Sequence, residues 1–251
     1  MRHRKGITIL LTALLLAGGS YAGLSLYGRY FGEAPEPSEE AYPVRGIDLS
    51  AHNGAVDFEE LSSQGVSFAY IKATEGTDFA DRYFLDNARL AGRSGIACGA
   101  YHFFRFDTDG ELQALNFHDA LRGREFSLPP AIDIEEWGNP DGHATAKIVE
   151  RLRKMLQTLE RLGHRPVLYT NKDGYHRFVK GNFDSYPLWI CSFTDPPLDE
   201  ARKRWTFWQY SHRGRLDGID GKVDLDVFNG SREDFEKMTG REKPQGRNTA
   251  R

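Results

Sequence analysis

The chain has little cysteine and no excess of either charge, and both shortages narrow what it can be. Only two cysteines, Cys98 and Cys191, occur in 251 residues, so one disulfide is the most it could form. Both lie in apolar, strand-like runs (residues 95–104 and 186–193). A core of this size needs no covalent staple, so buried free thiols are the expected state. The 33 Lys and Arg residues stand against 36 Asp and Glu, a formal net charge of −3. With no basic block either, the electrostatic footprint of a nucleic-acid-binding protein is missing. No glycine-rich phosphate loop follows the first strand-like segment, which counts against an open, doubly wound nucleotide-binding sheet. Ser50 has no Gly-x-Ser-x-Gly elbow around it and is not expected to be a nucleophile. His52 and His102 lack a His-x-x-x-His or cysteine-rich setting, so structural roles are expected for them, with no metal and no cofactor.

Long apolar runs are scarce as well. Residues 7–18 form one, continuing weakly to residue 27, and Arg2, His3, Arg4 and Lys5 precede it. That pattern reads as a secretory signal peptide or an N-terminal membrane anchor over residues 1–30. Ser20-Tyr21-Ala22 resembles a small-x-small cleavage site, whereas the uncleaved stretch approaches the roughly 20 residues that span a bilayer. Either way the remaining chain is expected outside the cytoplasm: secreted, periplasmic, or attached through an N-terminus in contact with the membrane. Residues 31–43, rich in Pro and Glu, read as a linker. Residues 44–230 read as one domain, and residues 231–251 as a short helix followed by a polar, basic, disordered tail.

Within the domain, strand patterns fall at residues 44–50, 68–73, 96–104, 130–137, 166–170, 188–193, 205–210 and 223–228. Helical spacing fills residues 57–64, 81–94, 111–122 and 144–162, with a short helix near 175–179. The clearest helix carries Ile148, Leu152, Met155, Leu156, Leu159 and Leu162 on one stripe. Eight strands, five of them with helical crossovers, predict an α/β fold in which a parallel sheet closes into a barrel, with an irregular final part.

Catalytic groups of such barrels gather at the C-terminal strand ends. Pro130-Ala131-Ile132-Asp133-Ile134-Glu135-Glu136-Trp137 alternates apolar residues with carboxylates, and side chains two apart share a face, so Asp133 and Glu135 point the same way. Carboxylates held together raise the proton affinity of at least one of them. The plain alternative is a solvated strand end, and these residues alone do not decide. Other strand ends add Asp48, Tyr101, His102, Tyr169, Trp189, Trp208, Gln209, Tyr210, Asp224 and Asp226. Acids among aromatic rings suit cleavage of a glycosidic bond: a proton for the leaving oxygen, an anion for the oxocarbenium-like centre, flat faces for sugars. Against this, Asp48 could cap a loop, Tyr101, Tyr169, Trp189 and Trp208 could be core residues, and Glu136, facing the other way, suits a structural ion pair.

Six segments taken in order carry a more specific signal: Gly46-Ile47-Asp48-Leu49-Ser50, Ile71-Lys72-Ala73-Thr74-Glu75-Gly76, Gly99-Ala100-Tyr101-His102-Phe103, Asp133-Ile134-Glu135, Trp208-Gln209-Tyr210 and Val223-Asp224-Leu225-Asp226. Together they resemble glycoside hydrolase family 25, the muramidase-type lysozymes, over about residues 44–230. The resemblance implies an irregular TIM-like barrel, five β/α units completed by about three further β-strands. It implies action on peptidoglycan glycan strands at the β-1,4 bond between N-acetylmuramic acid and N-acetylglucosamine, and a monomer is expected. Glu135 would be the general acid. Asp133 would support the substrate's N-acetyl group, which could itself attack the anomeric carbon, and Asp48 and Asp224 would be the remaining two acids. Asp226, often Asn in the family, would be supporting, and Tyr101, Tyr169, Trp189, Trp208, Gln209 and Asp226 are the candidate substrate contacts. His52 falls where members often carry an aromatic residue, so the outer cleft is expected to differ. Strand geometry leaves the stereochemistry open, since Cα atoms two apart lie about 6.6 Å from each other, which overlaps both carboxylate geometries. A non-catalytic barrel that binds wall glycans is the alternative reading, while a metal-dependent deacetylase would need a His/Asp cluster that the sequence lacks.

Overall fold

The structure, a computed structural model, describes residues 36–193 and 205–241. The basic and apolar N-terminal stretch, the first part of the expected linker and the residues beyond 241 lie outside the described residues. Among the described residues there are nine strands: β1 (Arg45–Leu49), β2 (Val66–Glu75), β3 (Phe79–Ala80), β4 (Ala97–Phe103), β5 (Ala131–Asp133), β6 (Val167–Asn171), β7 (Leu188–Cys191), β8 (Trp205–Gly214) and β9 (Val223–Phe228). Between them run α1 (Phe58–Ser63), α2 (Phe84–Arg93), α3 (Gly110–Leu121), α4 (Thr145–Arg161) and a short α5 (Lys172–Gly174) that continues through the turn Tyr175–Val179; α6 (Arg232–Thr239) ends the described chain.

The strand order is β1-β9-β8-β7-β6-β5-β4-β2, and a further β1–β2 pairing closes these strands into a barrel, with β3 hairpinned onto β2. The result is an α/β barrel of five β/α units completed by β7, β8 and β9. It is not wholly parallel: β9 runs antiparallel to both β8 and β1. The connection 215–222 is shorter than the dozen or so residues a parallel crossover needs, so the chain can only turn back beside itself.

Strand alternation sorts the apolar residues into two cores. On β2, Phe68 and Tyr70 point into the barrel while Ala69 and Ile71 point outward; on β6, Tyr169 points in and Leu168 out. The interior is aromatic, with Tyr70 stacked on Trp189 at 4.7 Å between centroids and Phe207 edge-on at 5.4 Å. Gly46 and Gly99 make room for those rings, since a Cβ would come within 2.4 Å of Phe68 and 2.5 Å of Tyr70. Phe235 of α6 packs against Phe68 and Phe228 and plugs the N-terminal end. The outer core sets Ile132, Leu168 and Ile190 against the α4 stripe of Leu152, Met155, Leu156 and Leu159. The last residues of the Pro/Glu-rich stretch also pack on the barrel: Pro37 is buried, Tyr42 sits 5.9 Å from the Trp205 ring, and Arg45 bonds Glu36. Arg241 donates to the Gly95 carbonyl.

Candidate active site

The C-terminal ends of the parallel strands surround a cleft of about 1010 Å³. Asp48, Tyr101, Asp133, Glu135, Tyr169, Trp189, Gln209 and Asp224 all line it. β5 is only three residues long, so Asp133 closes the strand and Glu135 lies beyond it. The extended course persists because Ile134 donates its N–H to the Tyr169 carbonyl at 2.9 Å while its side chain stays buried, and this returns Glu135 to the inner side. Asp48 and Asp224 stand directly opposite in the β1–β9 ladder. A hydrogen-bonded chain ties the rim across three strands: Tyr169 Oη donates to Gln209 Oε1 (2.8 Å), and Gln209 Nε2 donates to Asp48 Oδ2 (2.6 Å). Asp133 Oδ1 is buried and takes no hydrogen bond from the described residues.

Two expected substrate contacts are elsewhere. Trp208 is outside the barrel, packed with Trp205, Tyr210 and Tyr42, its Nε1 donating to the Ser192 carbonyl. Parity decides this, since Phe207 and Gln209 take the inner face of β8 and leave Trp208 the outer one. Asp226 is fully enclosed beneath the floor. Because β9 runs downward, two residues past Asp224 is one layer deeper, opposite Gly46 rather than Asp48. There Asp226 accepts from Trp189 Nε1 at 2.7 Å, so it supports the site without reaching the cleft.

Other cleft residues were not put forward as site residues from the sequence: Lys72, Glu75, Trp137, Asn171, Lys172, Asp173, Phe193, His212 and Lys222. Lys72 had a readable signal, since it continues the inward series Phe68, Tyr70. Trp137, 82% exposed at the mouth, and the loop residues had none. Gly138 (φ +81°) turns the chain sharply after Trp137, and its carbonyl is held by Arg105 at 2.7 Å. His102 fills a structural role: Nδ1 meets Thr74 Oγ1 at 2.7 Å and Nε2 meets Gln113 Oε1 at 3.1 Å, and burial pushes its pKa down to about 4. Glu136 pairs with Arg177, and both cysteines are free thiols.

Burial dominates the electrostatics. It raises Asp48 well above the usual carboxylate range, helped by the charges of Asp224 and Asp226 and opposed by the Gln209 bond. Asp133 is likewise raised by burial, then by Glu135, while Lys72 pulls it down. Glu135 is pushed up to about 7 by burial and the Asp224 charge, against Lys72. Asp224 reaches about 6, burial outweighing its bond with Asp48. At neutral pH this floor therefore holds protons that exposed carboxyls would have lost.

A closed α/β barrel with protonatable acids at its strand ends and aromatic walls defines a barrel glycoside hydrolase. The chain belongs to Glycosyl hydrolases family 25, whose profile matches residues 47–219. It is 35% identical over 205 residues to Lysozyme M1 of Streptomyces globisporus, covering 75% of this chain and 68% of that protein. A family 25 glycosyl hydrolase from Bacillus anthracis superposes with a TM-score of 0.73 at 36% identity, covering 82% of this chain and 97% of the other. The bacterial lysozyme of Streptomyces coelicolor does so with a TM-score of 0.67 at 31% identity, covering 79% and 98%.

Proposed function

We propose that this chain is an exported peptidoglycan hydrolase that cuts the β-1,4 bond between N-acetylmuramic acid and N-acetylglucosamine, with Glu135 as general acid. The observation that carries the assignment is Glu135 itself, on the cleft wall with its pKa pushed up to about 7. A carboxylic acid in that range keeps its proton near neutrality and can deliver it to the leaving glycosidic oxygen. Asp133 is the supporting carboxylate. Asp133 lines the cleft, and a hydrogen bond from the substrate's N-acetyl N–H to its carboxylate would favour the ionised form. Positive charge developing at the anomeric centre then faces Asp133, Asp48 and Asp224, and water completes the hydrolysis. Tyr101, Tyr169 and Trp189 supply the apolar wall for sugar faces, and Trp137 a platform at the mouth.

Family membership and the lysozyme relatives support peptidoglycan as substrate. The basic and apolar start of the sequence supports export, with the N-terminus at the membrane if uncleaved, and N-terminal sequencing of protein recovered outside the cells separates signal peptide from anchor. The catalytic assignment is tested by Glu135→Gln, which should lower turnover of purified peptidoglycan by about 10²-fold or more while the thermal transition stays in place. Undiminished turnover by the folded variant would remove Glu135 from the role.

A further inference from the structure

Lys72 has no part in the proton transfers just described, yet it is built into the same wall. Phe68, Tyr70 and Lys72 alternate along β2 toward the barrel interior. The β2–β4 ladder then slips a residue, so that Lys72 faces Tyr101 while Thr74 faces His102. That bulge brings Glu75 back to the inner face, and two residues three apart stand side by side. Lys72 Nζ lies 2.8 Å from Glu75 Oε2, with only 15% of the lysine side chain exposed. Arg105 Nη1 approaches Glu75 Oε1 at 3.4 Å. The ammonium sits 4.9 Å from the Phe103 ring centroid and 5.6 Å from that of Phe79. Fixing a lysine this way costs rotamer freedom and hydration, an outlay that a solvent-screened surface pair does not repay. The charged and titratable groups around it are Glu75 on β2, Tyr101 and His102 on β4, Arg105 after β4, and Asp133 and Glu135 at the end of β5, with Asp224 of β9 lining the same cleft.

We propose that Lys72 is a positioning residue of this site: caged by Glu75 and two aromatic rings, its charge sets how Asp133 and Glu135 divide their protons. This rests on the acid–base reading of that pair. Lys72 draws both acids down, and Glu75 pushes Asp133 up. When Glu135 carries its proton its charge no longer acts on Asp133, whereas that of Lys72 still does. Asp133 is then the acid that ionises, which is the arrangement hydrolysis requires.

The experiment is the pH dependence of kcat/KM on soluble peptidoglycan fragments, which reports the acid and base of the free enzyme. Lys72→Met should move both limbs to higher pH by on the order of one unit, because both acids lose a stabilising cation. Lys72→Arg should keep the wild-type limbs. Glu75→Gln should move the acid limb to lower pH, since Asp133 loses a like charge and Lys72 loses its counterion. A Lys72→Met rate lowered equally at every pH, with limbs unmoved, would mean a merely structural lysine and overturn the proposal. If Lys72→Met does not fold, an unmoved acid limb in Glu75→Gln overturns it equally. The acid–base reading fails separately, through an active Glu135→Gln protein.

Discussion

Glu135 and Asp133 are two residues apart and differ in enclosure, and that difference divides their labour. Asp133, buried at the strand end, has its pKa raised by burial and by the Glu135 charge, and Lys72 draws it back down. Glu135, further up the wall, titrates near 7. Its folded-state proton is lost as pH rises through that value, so turnover should decline above about 7. A rate constant from pH 5 to pH 9 would contradict the assignment of Glu135 as acid. The carboxylates were legible in sequence because acids at strand ends are conspicuous and parity aligns them. Parity does not fix depth where the direction of a strand is unknown. Reading β9 as parallel would set Asp226 above Asp224, toward the rim, whereas the antiparallel strand puts it under the floor. Trp208 was misplaced because an aromatic on a buried strand fits either face, and only the inward Gln209 decides between them.

At the scale of elements, helix and strand positions were legible because each strand-like run is bounded by a helical stripe or a turn. The short β3, the bulge in β2 and the reversal at β9 were not, since each depends on pairing with a neighbour rather than on local pattern. The contact between α3 and α4 is similarly non-local. Gly110 begins α3 directly on the backbone of α4, and a Cβ there would lie 1.9 Å from the Arg151 carbonyl oxygen. Backbone atoms cannot rotate aside as a side chain would, so Gly110→Ala must push the helices apart. Urea unfolding should show a loss of about 1–3 kcal/mol. A midpoint equal to wild type would mean that the helix pair yields at no cost.

Taken as a whole, the barrel closes an aromatic interior below and leaves a layer of buried acids above it, and that layer should govern stability. Asp48, Asp133 and Asp226 all have folded pKa values raised by burial. Below about pH 4, folded and unfolded chains both hold these protons. As pH rises past that point the unfolded chain releases them first, the folded state binds more protons, and stability falls toward neutrality. Asp226→Asn keeps an oxygen for Trp189 Nε1 and removes a buried ionisation that the cleft does not use. It should raise Tm at pH 8 by a few degrees and flatten the slope, and an unchanged slope would show that Asp226 ionises freely. The catalytic use of the same layer is tested most directly by mass analysis of the fragments released from purified peptidoglycan. The expected fragments end in reducing N-acetylmuramic acid and are missing from digests with Glu135→Gln. Fragments ending in reducing N-acetylglucosamine, or an undiminished yield from the folded variant, would contradict it.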